Sequence, residues 1–141
     1  MREGPFGNMR FRVEIQGVSG SGAVEVIFPE ARIVDRPRKR GAVRYGELIV
    51  KRGLTRSRDW YEWWDAARRG RRAPKRAVRV TLLAPDGGDA GAWFFGDATP
   101  VAYQLSPLNA LGNEAVIETL VLRIGRFEAV DGERPLGTRR G

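Results

Sequence analysis

Residues 45–70, YGELIVKRGLTRSRDWYEWWDAARRG, limit the possible folds more than any other part of the chain, because they set a strand, a tight basic turn and an aromatic helix end to end. Leu48, Ile49 and Val50 form an apolar run bounded by Gly46 and Gly53, the pattern of a short strand buried on both faces. Ser57 is placed to cap the helix that follows. Asp59 sits in its first turn, where the helix dipole favours a carboxylate, and Arg68 and Arg69 fall in the last turn ahead of Gly70 at C′. The spacing predicts a helix over residues 57–69 with a core face of Trp60, Trp63 and Trp64, extended by Ala67. So short a helix is marginal alone and depends on that face being packed. Tyr61 lies off the stripe and is open to a neighbour.

The rest of the chain reads as strands. Residues 9–16 alternate, with Met9, Phe11, Val13 and Ile15 on one side and charged or polar residues on the other, which is a half-buried strand. A Gly/Ser turn follows, then a strand over residues 23–28 closed by Pro29, which residues 31–34 continue after a break. Residues 35–43, DRPRKRGAV, suit a mobile loop or a hairpin tip. Residues 78–82 alternate again, residues 85–89 make a turn of the hairpin type, and residues 92–95 return as the partner. A separate strand over residues 98–105 is expected, interrupted early by Pro100. The last strand, residues 115–124, is partly apolar on both faces, with Val116, Leu120, Leu122 and Ile124 opposite Ala115, Ile117 and Val121. A strand of that kind wants two covers, and in a domain with one helix the second is open to another subunit. Six to eight strands, one helix and no βαβ alternation predict a mainly β fold, an antiparallel sandwich or barrel with one flanking helix. We expect a single domain over residues 1–130 and a flexible basic tail over residues 131–141.

Composition removes whole classes of chemistry. Without cysteine the chain has no disulfide framework or thiolate metal site, and without histidine it lacks the commonest general base and transition-metal ligand. No apolar run is long enough to cross a bilayer and the N-terminus has no hydrophobic signal core, so synthesis in the cytoplasm and no membrane insertion are expected. The 25 Lys and Arg against 17 Asp and Glu give a net charge of +8, which invites nucleic acid through counterion release. The basic residues are dispersed, however, in residues 36–40, 68–76 and 139–140, a distribution that suits solvated loops or an acidic partner surface better. The carboxylates offer no catalytic pair: Asp86 and Asp89 belong to a turn, and Glu114 and Glu118 are too far apart along an extended strand. Lys51-Arg52-Gly53 lacks the spacing of a P-loop and reads as a strand-to-helix turn. No enzyme, metal or cofactor is expected.

Four ordered stretches, MRFRVEIQG (9–17), RYGELIVKRGLTRSRDWYEWW (44–64), VRVTLLAPDGGDAGAWFFGDATPVAYQ (78–104) and LNALGNEAVIETLVLRIGRFEAV (108–130), carry a family likeness. The chain resembles the tail tube proteins of contractile phage tails and related contractile injection systems. The resemblance implies a barrel-like β fold with a flanking helix, hexameric rings, and stacking into a hollow inner tube inside a sheath. It implies as partners the chain itself, sheath protein, baseplate or hub and terminator proteins, and cargo in the lumen. Family-signature and candidate inter-subunit positions are Tyr45, Gly46, Lys51, Arg52, Gly53, Asn109, Asn113 and Glu114. Candidate sheath-facing positions are Arg68, Arg69, Arg71 and Arg72. Two features depart from the family pattern: the short connection at residues 17–23 and the basic loop at residues 35–43. They leave a tube-initiator ring at the baseplate as an alternative. From a different class, a basic nucleic-acid-binding β-barrel remains, in which the exposed aromatics would stack bases.

Overall fold

The computed structural model describes residues 10–130, and the expected flexible tail lies outside them. Nine strands and one helix follow in order among the described residues: β1 (Phe11–Ile15), β2 (Ala23–Ile27), β3 (Ala31–Arg36), β4 (Lys39–Tyr45), β5 (Glu47–Gly53), α1 (Asp59–Arg68), β6 (Arg76–Leu83), β7 (Asp89–Leu105), β8 (Ile117–Arg123) and β9 (Arg126–Val130). All strand pairings are antiparallel, as expected.

The architecture hangs on β7, 17 residues long, which belongs to two layers. Its first half pairs with β6 and β9, and β6 carries β1 at the edge. Its second half pairs with β8, which leads through β5 to β2. Between the halves Asp97 takes a positive φ of 56°, and the Gly125 N–H donates to the Gly96 carbonyl at 2.9 Å. The expected break between residues 95 and 98 is therefore a bend within one strand. Pro100 is accommodated because the register with β8 shifts between Pro100 and Ala102, a bulge being one of the places where a sheet tolerates proline. The expected last strand, residues 115–124, is β8, and β9 beyond Gly125 is a further strand that the sequence reading did not contain.

The two layers and the helix enclose one core. Leu48 and Val50 from β5, Leu120 and Leu122 from β8, Val78 from β6, Phe95 and Ala98 from β7, and Trp60 from α1 are all 0% exposed. Full burial of an aliphatic side chain contributes about 1.5–3 kcal/mol before chain entropy is counted. Trp60 and Trp63 fill the core as expected, while Trp64 is half-buried and stacks on Tyr103 with centroids 6.0 Å apart. Tyr61 packs edge-on against the same Tyr103 at 5.5 Å, so its neighbour is in its own chain.

The helix starts two residues later than expected. Arg58 occupies the N-cap with no side-chain cap, and the Ser57 N–H donates to Thr55 Oγ1 at 3.2 Å. The C-terminus behaves as its sequence asks. Gly70 has φ +70°, its N–H donates to Ala67 O at 3.1 Å, and the Arg71 N–H donates to Ala66 O at 3.0 Å. These two bonds close the helix in a Schellman arrangement.

Candidate functional site

The first candidate feature is a buried charge network beneath α1. On β5, Arg52 lies in phase with Leu48 and Val50, so the strand that buries those residues also buries the guanidinium, leaving it 2% exposed. On β8, Glu118 lies in phase with Leu120 and Leu122 and is 0% exposed. Strand register places the two opposite each other, and Arg52 Nε donates to Glu118 Oε1 at 2.7 Å. Arg52 Nη2 donates to Asp59 Oδ1 at 2.6 Å, Nη1 donates to the Ser19 carbonyl at 3.2 Å, and the guanidinium carbon sits 4.0 Å from the Trp60 ring centroid. The Tyr103 hydroxyl donates to Glu118 Oε2 at 2.5 Å. The residue 17–22 turn joins the network as well, since the Ser19 N–H donates to Asp59 Oδ2 at 2.8 Å and Trp60 Nε1 donates to the Ser19 carbonyl at 2.9 Å.

The network is structural in character. Desolvation pushes the Asp59 carboxyl up, but hydrogen bonds from Arg52 and the Ser19 N–H outweigh it and hold the group below the ordinary carboxylate value. Burial, and then the bond to Glu118, pushes the Tyr103 hydroxyl well above its ordinary value, so it stays protonated as a donor. Each carboxylate oxygen of Glu118 and Asp59 already accepts a hydrogen bond from within the chain. Among the described residues no cluster of His, Cys, Asp or Glu could hold a metal ion, and no helix is long and apolar enough to cross a membrane.

The second feature is an arm. Residues 35–43 are the tip of the β3–β4 hairpin, which forms a separate two-stranded sheet. Its root is fixed by the Gly46 N–H donating to Glu30 O at 2.8 Å and by Phe28, packed edge-on against Trp93 at 5.2 Å. Beyond the root, Ile33 and Val43 face each other across the ribbon yet remain 74% and 46% exposed. A two-stranded ribbon with apolar residues in water is marginal alone.

The third feature is the uncovered second layer, β7(second half)-β8-β5-β2. No strand pairs with the outer edge of β2 or with the β7 edge beyond Ala98 among the described residues. The face away from the core carries a row that runs across all four strands, Ile27, Ile49, Val121 and Ala102, matched pair by pair in register. The second face of β8 is thus apolar in part, as expected, with Ile117 and Val121 half-buried.

The residues singled out by the sequence do not form one site. Tyr45 and Gly46 lie at the arm root, with Tyr45 packed against the core. Lys51 points to the uncovered face, 3.6 Å from Glu25, and Gly53 pairs with Ile117 at the end of β5. Arg52, the remaining candidate inter-subunit position on β5, is buried, with its guanidinium paired to Glu118 and Asp59 of its own chain. Asn109, Asn113 and Glu114 share the exposed loop between β7 and β8, where Asn109 Oδ1 accepts the Leu111 N–H at 3.0 Å. Arg68 and Arg69 both clasp Asp65, at 2.6 and 2.9 Å, while Arg71 and Arg72 extend into solvent. Sequence reading missed the Arg52–Glu118–Asp59–Tyr103 network. The signal was present: Arg52 and Glu118 are opposite charges, each in the apolar phase of its own strand.

The family model of the T4-like virus tail tube protein gp19 matches residues 7–128. The chain belongs to this tail tube family. No curated protein matches it in sequence. Among solved structures, a chain from the sheath/tube terminator of the PVC extracellular contractile injection system in its extended state is similar at 15% identity and TM-score 0.75, over 92% of this chain and 99% of that one. A chain of the PVC sheath-tube complex is similar at 14% identity and TM-score 0.65, over 89% of this chain and 93% of that one. Hcp1 from Flavobacterium johnsoniae is similar at 13% identity and TM-score 0.62, over 84% of this chain and 93% of that one. These tail tube and Hcp likenesses share the fold described above, a mainly antiparallel β domain with one helix.

Proposed function

We propose that the chain is a structural subunit of the inner tube of a contractile injection system, closing into hexameric rings that stack inside a sheath. The observation that carries this is the second layer, open at both edges and bare on one face, in a chain of the tail tube family. Joining β2 of one copy to the free β7 edge of the next continues the sheet by strand addition and removes both edges when the ring closes. Each copy keeps its core, α1 and first layer on one side of that sheet. Six such bodies fit only on the outside of a closed sheet, so the bare face turns to the bore.

The role is mechanical: subunits hold together while a sheath moves along the tube. Residue assignments within this reading are ours as well. Asn109, Asn113 and Glu114 on the exposed β7–β8 loop, and Tyr45, Gly46, Lys51 and Gly53 around the arm root and β5, are offered as contacts between copies. Arg68, Arg69, Arg71 and Arg72 are offered as sheath-facing, since exposed ion pairs are individually weak and readily exchanged. Reversing these four charges together is expected to reduce sheath decoration and leave bare tubes intact; unchanged sheathing rejects that assignment.

Negative-stain imaging of the concentrated full chain tests the main reading. Rings or rods of uniform width support it, and a monodisperse monomer at every concentration overturns it. A monomer that binds oligonucleotides with steep salt dependence would favour the nucleic-acid class instead.

A further inference from the structure

We infer that the outer face of the first layer holds a binding site for one carboxylate, built by Arg79 and Thr81. The inference stands apart from the tube reading, since joining copies through β2 and β7 uses the other layer.

The ground is a pair of buried polar groups without partners. On β6, Val78 and Val80 point into the core, so Arg79 and Thr81 stand in the opposite phase, side by side on the face turned away from it. Outward polar side chains are ordinarily exposed, yet Arg79 is 5% exposed and Thr81 0%. Among the described residues Arg79 Nε and Thr81 Oγ1 are both buried with no hydrogen-bond partner, and Arg79 makes no ion pair. Buried polar groups in folded chains are hydrogen-bonded almost without exception. Arg52 sets the standard within this molecule: it is buried to a similar degree, and Glu118, Asp59 and the Ser19 carbonyl answer its donors. Arg79 carries an equal charge and has no such answer.

Neighbouring carboxylates do not supply one. Glu14 on β1 is the register partner of Arg79, and Glu128 on β9 ends the same row beyond Phe94. Glu14 is drawn instead to Arg12 at 3.9 Å, and Glu128 to Arg126 at 4.0 Å. Arg12 is shared in turn with Asp89 at 3.7 Å. These contacts are long and exposed, pairs of a kind that costs little to break, so Arg12 and Glu14 are free to swing aside and admit a ligand. Phe94, half-buried with the Arg126 guanidinium 5.1 Å from its ring centroid, flanks Arg79 on the other side.

The donors select the ligand. A guanidinium edge and a hydroxyl together offer N–H and O–H groups to one acceptor, and a single positive charge is balanced by a single negative one. A planar carboxylate matches both the fork and the charge. A phosphate dianion would bring a second charge into the same buried spot.

Urea unfolding of the full chain, at one protein concentration and in sodium acetate or sodium chloride of equal ionic strength, tests the site. A ligand that binds only the folded chain stabilises it by mass action, so the wild-type midpoint is expected to be higher in acetate. Thr81→Val keeps the branched shape without the hydroxyl and is expected to weaken acetate about tenfold, while Arg79→Met is expected to abolish the difference. In chloride, Arg79→Met should match or exceed the wild-type midpoint, because it removes a buried charge that nothing answers. A blocked Glu peptide, set against its Gln counterpart, separates the two sources of a carboxylate: a response to acetate alone assigns the site to small carboxylates, and a response to the Glu peptide as well assigns it to a side chain of a partner. Equal wild-type midpoints in acetate and chloride, a difference that persists in Arg79→Met, a clear fall of the Arg79→Met midpoint in chloride, or a larger rise in phosphate than in acetate overturns the inference. Should Arg79→Met fail to fold, the wild type and Thr81→Val decide it, and an acetate response undiminished by loss of the hydroxyl counts against the site.

Discussion

At Arg52 three oxygen acceptors and an aromatic ring converge on one guanidinium, and the balance of terms there decides what a substitution does. Removing one member of a buried pair leaves the other charged and dry, which is far worse than removing both. Arg52→Met is expected to lower unfolding free energy by about 3–5 kcal/mol, with most of that recovered in Arg52→Met/Glu118→Leu. Urea unfolding of the three proteins checks both statements, and equal losses in the single and double variants would show that Glu118 does not depend on Arg52. Asp59 gives the network a pH dependence of definite sign. Its carboxyl is held below the ordinary value of about 3.9, so its stabilisation is complete above that pH and is lost as pH falls through the folded value. The urea midpoint of the wild type should therefore exceed that of Asp59→Asn at neutral pH and converge on it in acid. A gap that grows on acidification would contradict the assignment.

For the elements, the legible part was the part with a period. Val13 and Ile15 on β1, Leu48 and Val50 on β5, and Leu120 and Leu122 on β8 are buried in the alternation their sequence shows, and Trp60 and Trp63 are buried at helical spacing. The illegible part has no period or breaks a local rule. Residues 31–34 were read as a continuation of the strand before them and residues 35–43 only as a loop or hairpin tip, because the arm's side chains have no core to face and alternation marks a strand only when one side is buried. β7 was divided into residues 92–95 and 98–105, with Pro100 as an early interruption, whereas long-range pairing to β8 and β9 carries the strand through. The helix start was misplaced because Asp59 Oδ1 accepts the Trp60 N–H at 2.9 Å while its carboxylate also serves Ser19 and Arg52 across the fold. At the other end local rules suffice, and they give a prediction. A Cβ on Gly70 would meet nothing within 4 Å, so Gly70→Ala changes only the strain of φ +70°. The expected loss is about 1 kcal/mol, partly restored by Gly70→Asn, as read from urea midpoints.

The whole molecule poses a contradiction that only assembly resolves. Natural sheets blunt their edges with lysine, proline or inward charge, yet the outer edge of the second layer is β2, whose Val24 and Ile27 are 56% and 41% exposed. A chain with 25 basic residues has placed none of them on that strand. The same side of the molecule carries Phe28, 39% exposed, and the arm with Ile33. Five of the nine exposed large hydrophobic residues among the described residues, Val24, Ile27, Phe28, Ile33 and Val43, thus fall within twenty residues of sequence. If this edge is where the next copy adds its strand, blunting it should separate folding from assembly. Val24→Lys with Ile27→Lys removes little buried area, so the monomer is expected to keep its stability to within about 1 kcal/mol, while lysines on the edge strand, repeated at every contact of the ring, should oppose strand addition and abolish rings. Sedimentation velocity beside urea unfolding measures the two effects separately. Rings that persist in the folded double variant would place the ring contact on another surface, and loss of fold would show that β2 is held in the monomer by more than its pairing with β5.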